Sequence, residues 1–232
     1  MFFNEEASGY PLENIISEYK FEDNVLDTVG SNNGTPTAIT YQAGLVGQTA
    51  VLNGTSSRVA LPDANDLSFG DGVNDVPFSM SFLMRFTVKA GTDVVLSKTG
   101  STTDREYYIL WSAQILRLRL FGNTSGSIYK NWDIAFDPPT GQYNHISMTY
   151  DGNDAKIYVN GIEATTTFTE VGTYVAMNNL NATPLIGAFN YLSPSLFFYG
   201  WLDCVRFWDK ELTSDEVLSI ATAELNGIDI NP

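Results

Sequence analysis

Few side chains in this sequence are placed to do chemistry. Near the C-terminus, "GWLDCVRFWDKELTSDEVLSI" (200–220) reads as a strand followed by a short helix. Side chains alternate along a strand, so Asp203 falls in phase with Val205 and Phe207, on the expected core face. A carboxylate there is costly unless something pairs with it. Cleaving a glycosidic bond needs two carboxyls at a set separation. The central strands offer one acid, Glu106, with Asp104 in the loop before it. His145 is the only histidine and Cys204 the only cysteine, so no intrachain disulfide can form and neither residue has an evident catalytic partner. No phosphate-binding loop, zinc spacing or nucleophile elbow occurs. No catalytic residue is assigned.

A second chemistry is recognition. Sugar rings stack on exposed aromatics and accept hydrogen bonds from planar polar groups. Arg105, Tyr107, Trp111, Tyr129, Trp132 and Tyr191 are the candidate ligand-binding residues. Several sit in or beside Asn-, Ser- and aromatic-rich stretches such as "GNTSGSIYKNWD" and "GAFNYLSPSLFFYG", which suit binding loops. The competing reading is that a sandwich with 13% aromatic residues needs many of these rings in its core.

These side chains must be held by β structure. Short segments rich in aromatic and β-branched residues alternate with turn clusters. In "FSMSFLMRFTV", Phe78, Met80, Phe82, Met84, Phe86 and Val88 alternate with Ser79, Ser81, Leu83, Arg85 and Thr87. In "ILRLRLF", Leu116, Leu118 and Leu120 face one way, Arg117 and Arg119 the other. Asn53-Gly54, Asp151-Gly152 and Asn160-Gly161 are tight-turn dipeptides, each expected in a hairpin. Thr213 and Glu216 make a capping box for one late helix, with Val217, Leu218 and Ile220 as its apolar side. The expected architecture is all-β, a two-sheet antiparallel jelly-roll sandwich with one short C-terminal helix. The expected divisions are an N-terminal arm at 1–14, one domain at 15–222 and a tail at 223–232.

The chain has 27 acidic and 12 basic residues, a net charge of -15. That disfavours nucleic acid and anionic membrane surfaces as partners and suits a cation or a solvated exterior. No apolar run is long enough to span a bilayer. "MFFNEEASGY" lacks a basic n-region, so no signal peptide is expected.

Five stretches, taken in order, resemble the laminin-G-like jelly rolls of the concanavalin A-like lectin and glucanase superfamily. They are "YKFEDNVLDTVGSNNGT", "VLNGTSSRVALP", "FSMSFLMRFTV", "YNHISMTYDGNDAKIYVNGI" and the closing "GWLDCVRFWDKELTSDEVLSI". The resemblance spans about residues 15–222. It implies a structural calcium ion held by the carboxylate opening the closing strand and by ligands from the opening strand. The matching residues are Asp203 with Glu22, Asp23 and Asp27. Oxygen-only ligands suit calcium. The competing account is that Asp203 accepts hydrogen bonds from loop amides with no metal.

The expected function is a non-enzymatic carbohydrate-binding, adhesion or structural module that binds a glycan or cell-surface polysaccharide. Its expected setting is extracellular or a phage virion surface, as a capsid decoration or tail-associated protein docked to other virion proteins through the N-terminal arm. The alternatives are a secreted bacterial carbohydrate-binding module, a structural spacer and a divergent glycoside hydrolase.

Overall fold

A computed structural model describes residues 10–89, 91–100 and 103–230. In chain order the strands are β1 (Ile15–Tyr19), β2 (Thr35–Thr37), β3 (Thr40–Ala43), β4 (Gln48–Asn53), β5 (Arg58–Ala60), β6 (Phe78–Phe86), β7 (Thr92–Thr99), β8 (Arg105–Ser112) and β9 (Ile115–Phe121). They continue with β10 (Tyr129–Ala135), β11 (Asn144–Tyr150), β12 (Ala155–Val159), β13 (Ile162–Glu163), β14 (Thr167–Val171), β15 (Pro184–Ile186), β16 (Phe189–Tyr191), β17 (Ser193–Ser195) and β18 (Tyr199–Trp208). Helix α1 (Ser214–Leu225) follows.

Two antiparallel sheets face each other. The first runs β13-β12-β11-β6-β18-β4-β3, with β1 also paired to β18; the second runs β14-β10-β9-β8-β7-β15-β5-β2. Strands β16 and β17 form a separate hairpin. The core lies between the sheets. Strand β6 sends Phe78, Met80, Phe82, Met84 and Phe86 into it, and β9 sends Leu116, Leu118 and Leu120 from the other side. Their period of two meets an opposing sheet of the same period, so one face of each is dry. Strand β6 ends at Phe86, and Val88 beyond it is exposed.

Asp151 and Asn160 turn the chain as expected. Strand β11 pairs with β12, and β12 with β13 across Asn160-Gly161, both at positive φ. Asn53-Gly54 does not make a hairpin. Strand β4 pairs with β3 and β18, whereas β5 pairs with β2 and β15 in the other sheet. Asn53 Oδ1 accepts the amides of Thr55, Ser56 and Ser57, which folds the loop that carries the chain between sheets.

The capping box on α1 is present as expected. Val217, Ile220 and Ala223 pack onto Trp208, Tyr158 and Leu212 on the outer face of the first sheet. Leu218 instead faces solvent. The helix runs past residue 222, and Ile230 is buried in the same cluster. The expected arm lies mostly outside the described residues. Its last part, however, joins the sandwich: Trp208 Nε1 donates to the Pro11 carbonyl at 2.9 Å.

The closing strand departs most from simple alternation. Asp203 pairs with Leu83, but Arg206 pairs with Ser81, so β18 carries one extra residue there. Cys204 sits in that bulge at φ 47°. Parity flips across it: Leu202 faces the core before the bulge, Val205 and Phe207 after it. Asp203 therefore belongs to the outer face, the side covered by α1, and not to the core face that alternation implies.

Candidate functional site

The six candidate binding residues separate into two groups. Tyr107, Trp111 and Trp132 are core residues, contrary to expectation. They sit at positions of β8 and β10 that alternation points inward. Each polar tip is satisfied internally: Tyr107 Oη donates to Leu67 O at 2.9 Å, Trp111 Nε1 to Phe136 O at 2.7 Å and Trp132 Nε1 to Asp154 Oδ1 at 2.7 Å. Burial pushes the Tyr107 hydroxyl well above its usual pKa. Arg105, Tyr129 and Tyr191 lie on or beside the outer face of the second sheet, around one open region.

That face is built by three neighbouring strands. Register places Tyr108 opposite Arg119, Arg119 opposite Asn131, Arg117 opposite Asp133, and Phe121 opposite Tyr129. The result is a lattice of arginines and rings. The Arg119 guanidinium stands 3.9 Å from the Tyr129 ring centroid and 5.2 Å from that of Tyr108. Its Nε donates to Asn131 Oδ1 at 2.6 Å. Arg105 reaches in from the start of β8, 5.1 Å from the Tyr191 ring and 5.8 Å from Phe121. The β16–β17 hairpin stands at the side, with Phe189 and Tyr191 stacked at 6.4 Å. Arg105, Arg119, Tyr108, Phe121, Phe189 and Tyr191 are among the residues enclosing a cleft of about 290 Å³. Arg117 is neutralised by Asp133 through Nε–Oδ1 at 2.7 Å and Nη2–Oδ2 at 2.6 Å, and this partner raises its pKa. Partial burial lowers that of Arg119.

Tyr108, Phe121, Phe189, Arg117 and Arg119 are not among the binding candidates that the sequence offers. The outward phase of the two arginines was visible; that the surface they face is left uncovered was not.

The four proposed metal ligands do not gather into one cluster, although Glu22 lies near enough to Asp203 to act on its charge. Asp27 Oδ1 accepts the amides of Glu18, Val29 and Gly30, and Oδ2 that of Asn32, so it folds a turn. Asp23 is exposed at positive φ. Glu22 Oε1 accepts the Gln48 amide at 3.0 Å. Among the described residues no three His, Cys, Asp or Glu side chains stand close enough together to hold a metal ion. Asp203 is fully buried, with Oδ1 on the Cys204 amide at 2.8 Å and Oδ2 without a partner. Burial, reinforced by Glu224 and Glu22, pushes its pKa up to about 9 against the pull of that amide.

Beside it, beneath α1, lies a buried network invisible in the sequence. Arg206 Nε donates to Glu18 Oε1 at 2.6 Å, and Nη1 donates to Glu224. His145 Nε2 is 3.5 Å from Glu224 Oε2. Desolvation, with Arg206 nearby, lowers the His145 pKa to about 3, so the ring is neutral at pH 7. Glu106, the acid of the central strands, is buried against Lys98 at 3.0 Å and accepts the Leu180 amide at 2.9 Å.

Two packed antiparallel sheets with a ringed, open outer face define a lectin-type β-sandwich. The chain belongs to the concanavalin A-like lectin/glucanases superfamily, whose laminin G family model matches residues 53–218. Among solved structures it is similar to domain 4 of AbnA, a GH43 extracellular arabinanase from Geobacillus stearothermophilus, in complex with arabinotriose. Identity there is 24% and the TM-score 0.65, over 90% of this chain and 98% of that one. It is also similar to the binding domain of Paraclostridial Mosquitocidal Protein 1, at 15% identity and TM-score 0.69, over 90% of this chain and 52% of that one. A structure of botulinum neurotoxin type C, whose cell entry depends on interaction with two ganglioside molecules, matches at 13% identity and TM-score 0.68, over 91% and 51%. This chain thus spans about half the length of those toxin domains. At these identities the likeness is one of fold. No curated protein matches the chain in sequence. No helix among the described residues is long and apolar enough to cross a membrane.

Proposed function

We propose that this chain is a glycan-binding module without chemistry of its own, and that the glycan lies on the outer face of the second sheet. The observation that carries the proposal is the open cleft walled by Arg105, Arg119, Phe189 and Tyr191, beside Tyr129. Flat rings offer stacking surface to a sugar, and guanidinium groups offer planar arrays of donors. Among the described residues no carboxylate lines this cleft, and Asp133 nearby is committed to Arg117. Glycosidic cleavage needs a pair of carboxyls, so the lining favours binding over turnover. Fold relatives captured with arabinotriose or dependent on gangliosides support the same reading by analogy. The setting we propose is an exposed surface, that of a virion or of a secreted assembly.

An oligosaccharide array followed by titration calorimetry tests the proposal. Tyr191→Ala and Tyr129→Ala should each weaken binding at least tenfold while leaving the unfolding midpoint nearly unchanged. A blank array would support the structural-spacer alternative. Binding indifferent to both substitutions would move the site elsewhere.

A further inference from the structure

Resting on that reading, we infer that the cleft selects saccharides bearing a carboxylate, such as uronic or sialic acid residues, over their neutral counterparts. The protein carries 27 acidic side chains against 12 basic ones. Among the described residues no carboxylate lies within ion-pair distance of Arg105 or Arg119; the same holds for Arg58, Arg85 and Lys130, but Arg105 and Arg119 are the pair that lines one cleft. On the same face Arg117 has Asp133, and elsewhere Arg206 is paired with both Glu18 and Glu224.

Both unpaired guanidinium groups are partly withdrawn from water. Arg119 lies between the Tyr129 and Tyr108 rings, and Arg105 beside Tyr191 has its Nε buried without a partner. Withdrawing an unpaired charge is costly, and ring faces offset only part of that cost. Such a charge is relieved by an anion that arrives with the ligand. Each guanidinium carbon is 5.8 Å from the centroid of the same ring, Phe121, so the two flank one small pocket floor. Arginine forks match a carboxylate in a planar, two-bond geometry that a neutral hydroxymethyl group cannot reproduce. The overall charge of -15 narrows the class further. It repels dense polyanions at long range, whereas one isolated carboxylate meets mainly the two local cations.

Titration calorimetry of the full chain with matched pairs decides the matter. The first pair is an otherwise neutral oligosaccharide with one galacturonate residue and its carboxyl-reduced neutral form; the second is 3'-sialyllactose and lactose. One pair or both should show at least tenfold tighter binding of the acid, and which pair does so separates uronate from sialate. Arg119→Gln and Arg105→Gln should abolish the preference, whereas Arg119→Lys should retain part of it. Equal affinity within both pairs overturns the inference while leaving glycan binding standing. Neutral sugars binding with sensitivity to Tyr191→Ala, and no acid preference, has the same meaning. Failure of every saccharide on the array overturns both this inference and the glycan-binding reading.

Discussion

Replacing Asp203 by asparagine should stabilise the protein, by an amount that depends on pH. The carboxyl is buried, one oxygen has no partner, and its pKa is pushed up to about 9. In the unfolded chain the same group ionises near its ordinary value of 3.8. Between those values the folded state keeps a proton that the unfolded state has released. The contribution of Asp203 to stability is therefore fullest below about pH 4 and is lost as pH rises towards 9. At pH 7 the span is about three pH units, which at ~1.4 kcal/mol per unit costs the fold on the order of 4 kcal/mol. Asparagine keeps an acceptor for the Cys204 amide and does not ionise. Asp203→Asn should then gain roughly 2–4 kcal/mol at pH 7, or about 5–15 °C in Tm for a chain of this size. Urea unfolding of both proteins at about pH 4.5 and pH 8 is the assay, and the gap between them should be small at the lower pH and widen at the higher. A variant less stable than its parent at pH 8, or a gap that ignores pH, refutes the reasoning. So does a calcium-dependent rise in Tm that the variant loses, because that requires an ionised carboxylate holding a cation.

Two further outcomes follow from the buried groups. Arg206→Met strands the Glu18 and Glu224 carboxyls under α1 and should cost roughly 3–5 kcal/mol in chemical denaturation; a loss below about 1 kcal/mol would mean that water or repacking already satisfies them. Trp132→Ala removes a fully buried ring from the core and should cost about 3–5 kcal/mol of stability, with little change in saccharide affinity at a temperature where the variant is still folded. The reverse pattern, lost binding with stability intact, would return Trp132 to the binding site.

Much of the architecture was legible because alternation is a local property. Phe78 to Phe86 in β6 and Leu116 to Leu120 in β9 announce their buried face from the chain alone, and the cap at Thr213 and the turn at Asn160-Gly161 depend only on residues a few positions apart. The same locality explains the errors. Asn53-Gly54 reads as a hairpin because turn chemistry says that the chain reverses, not which sheet it then joins. Asp203 reads as a core residue because counting by two assumes an unbroken strand, and the bulge at Cys204 adds one residue.

The candidate site divides along the same line. Sequence alone determined that Arg117 and Arg119 project opposite to the core leucines and that aromatic residues are abundant beside them. It could not say which rings the opposing sheet would cover, so Tyr107 and Trp132 looked as available as Tyr129 and Tyr191. Nor could it pair Arg206 with Glu18, 188 residues away, or leave Arg119 without an acid in an acidic protein. Those outcomes depend on which surfaces the packed sheets and α1 exclude from water. Exclusion is a property of the whole fold, because burial at one residue is produced by atoms distant from it in the chain.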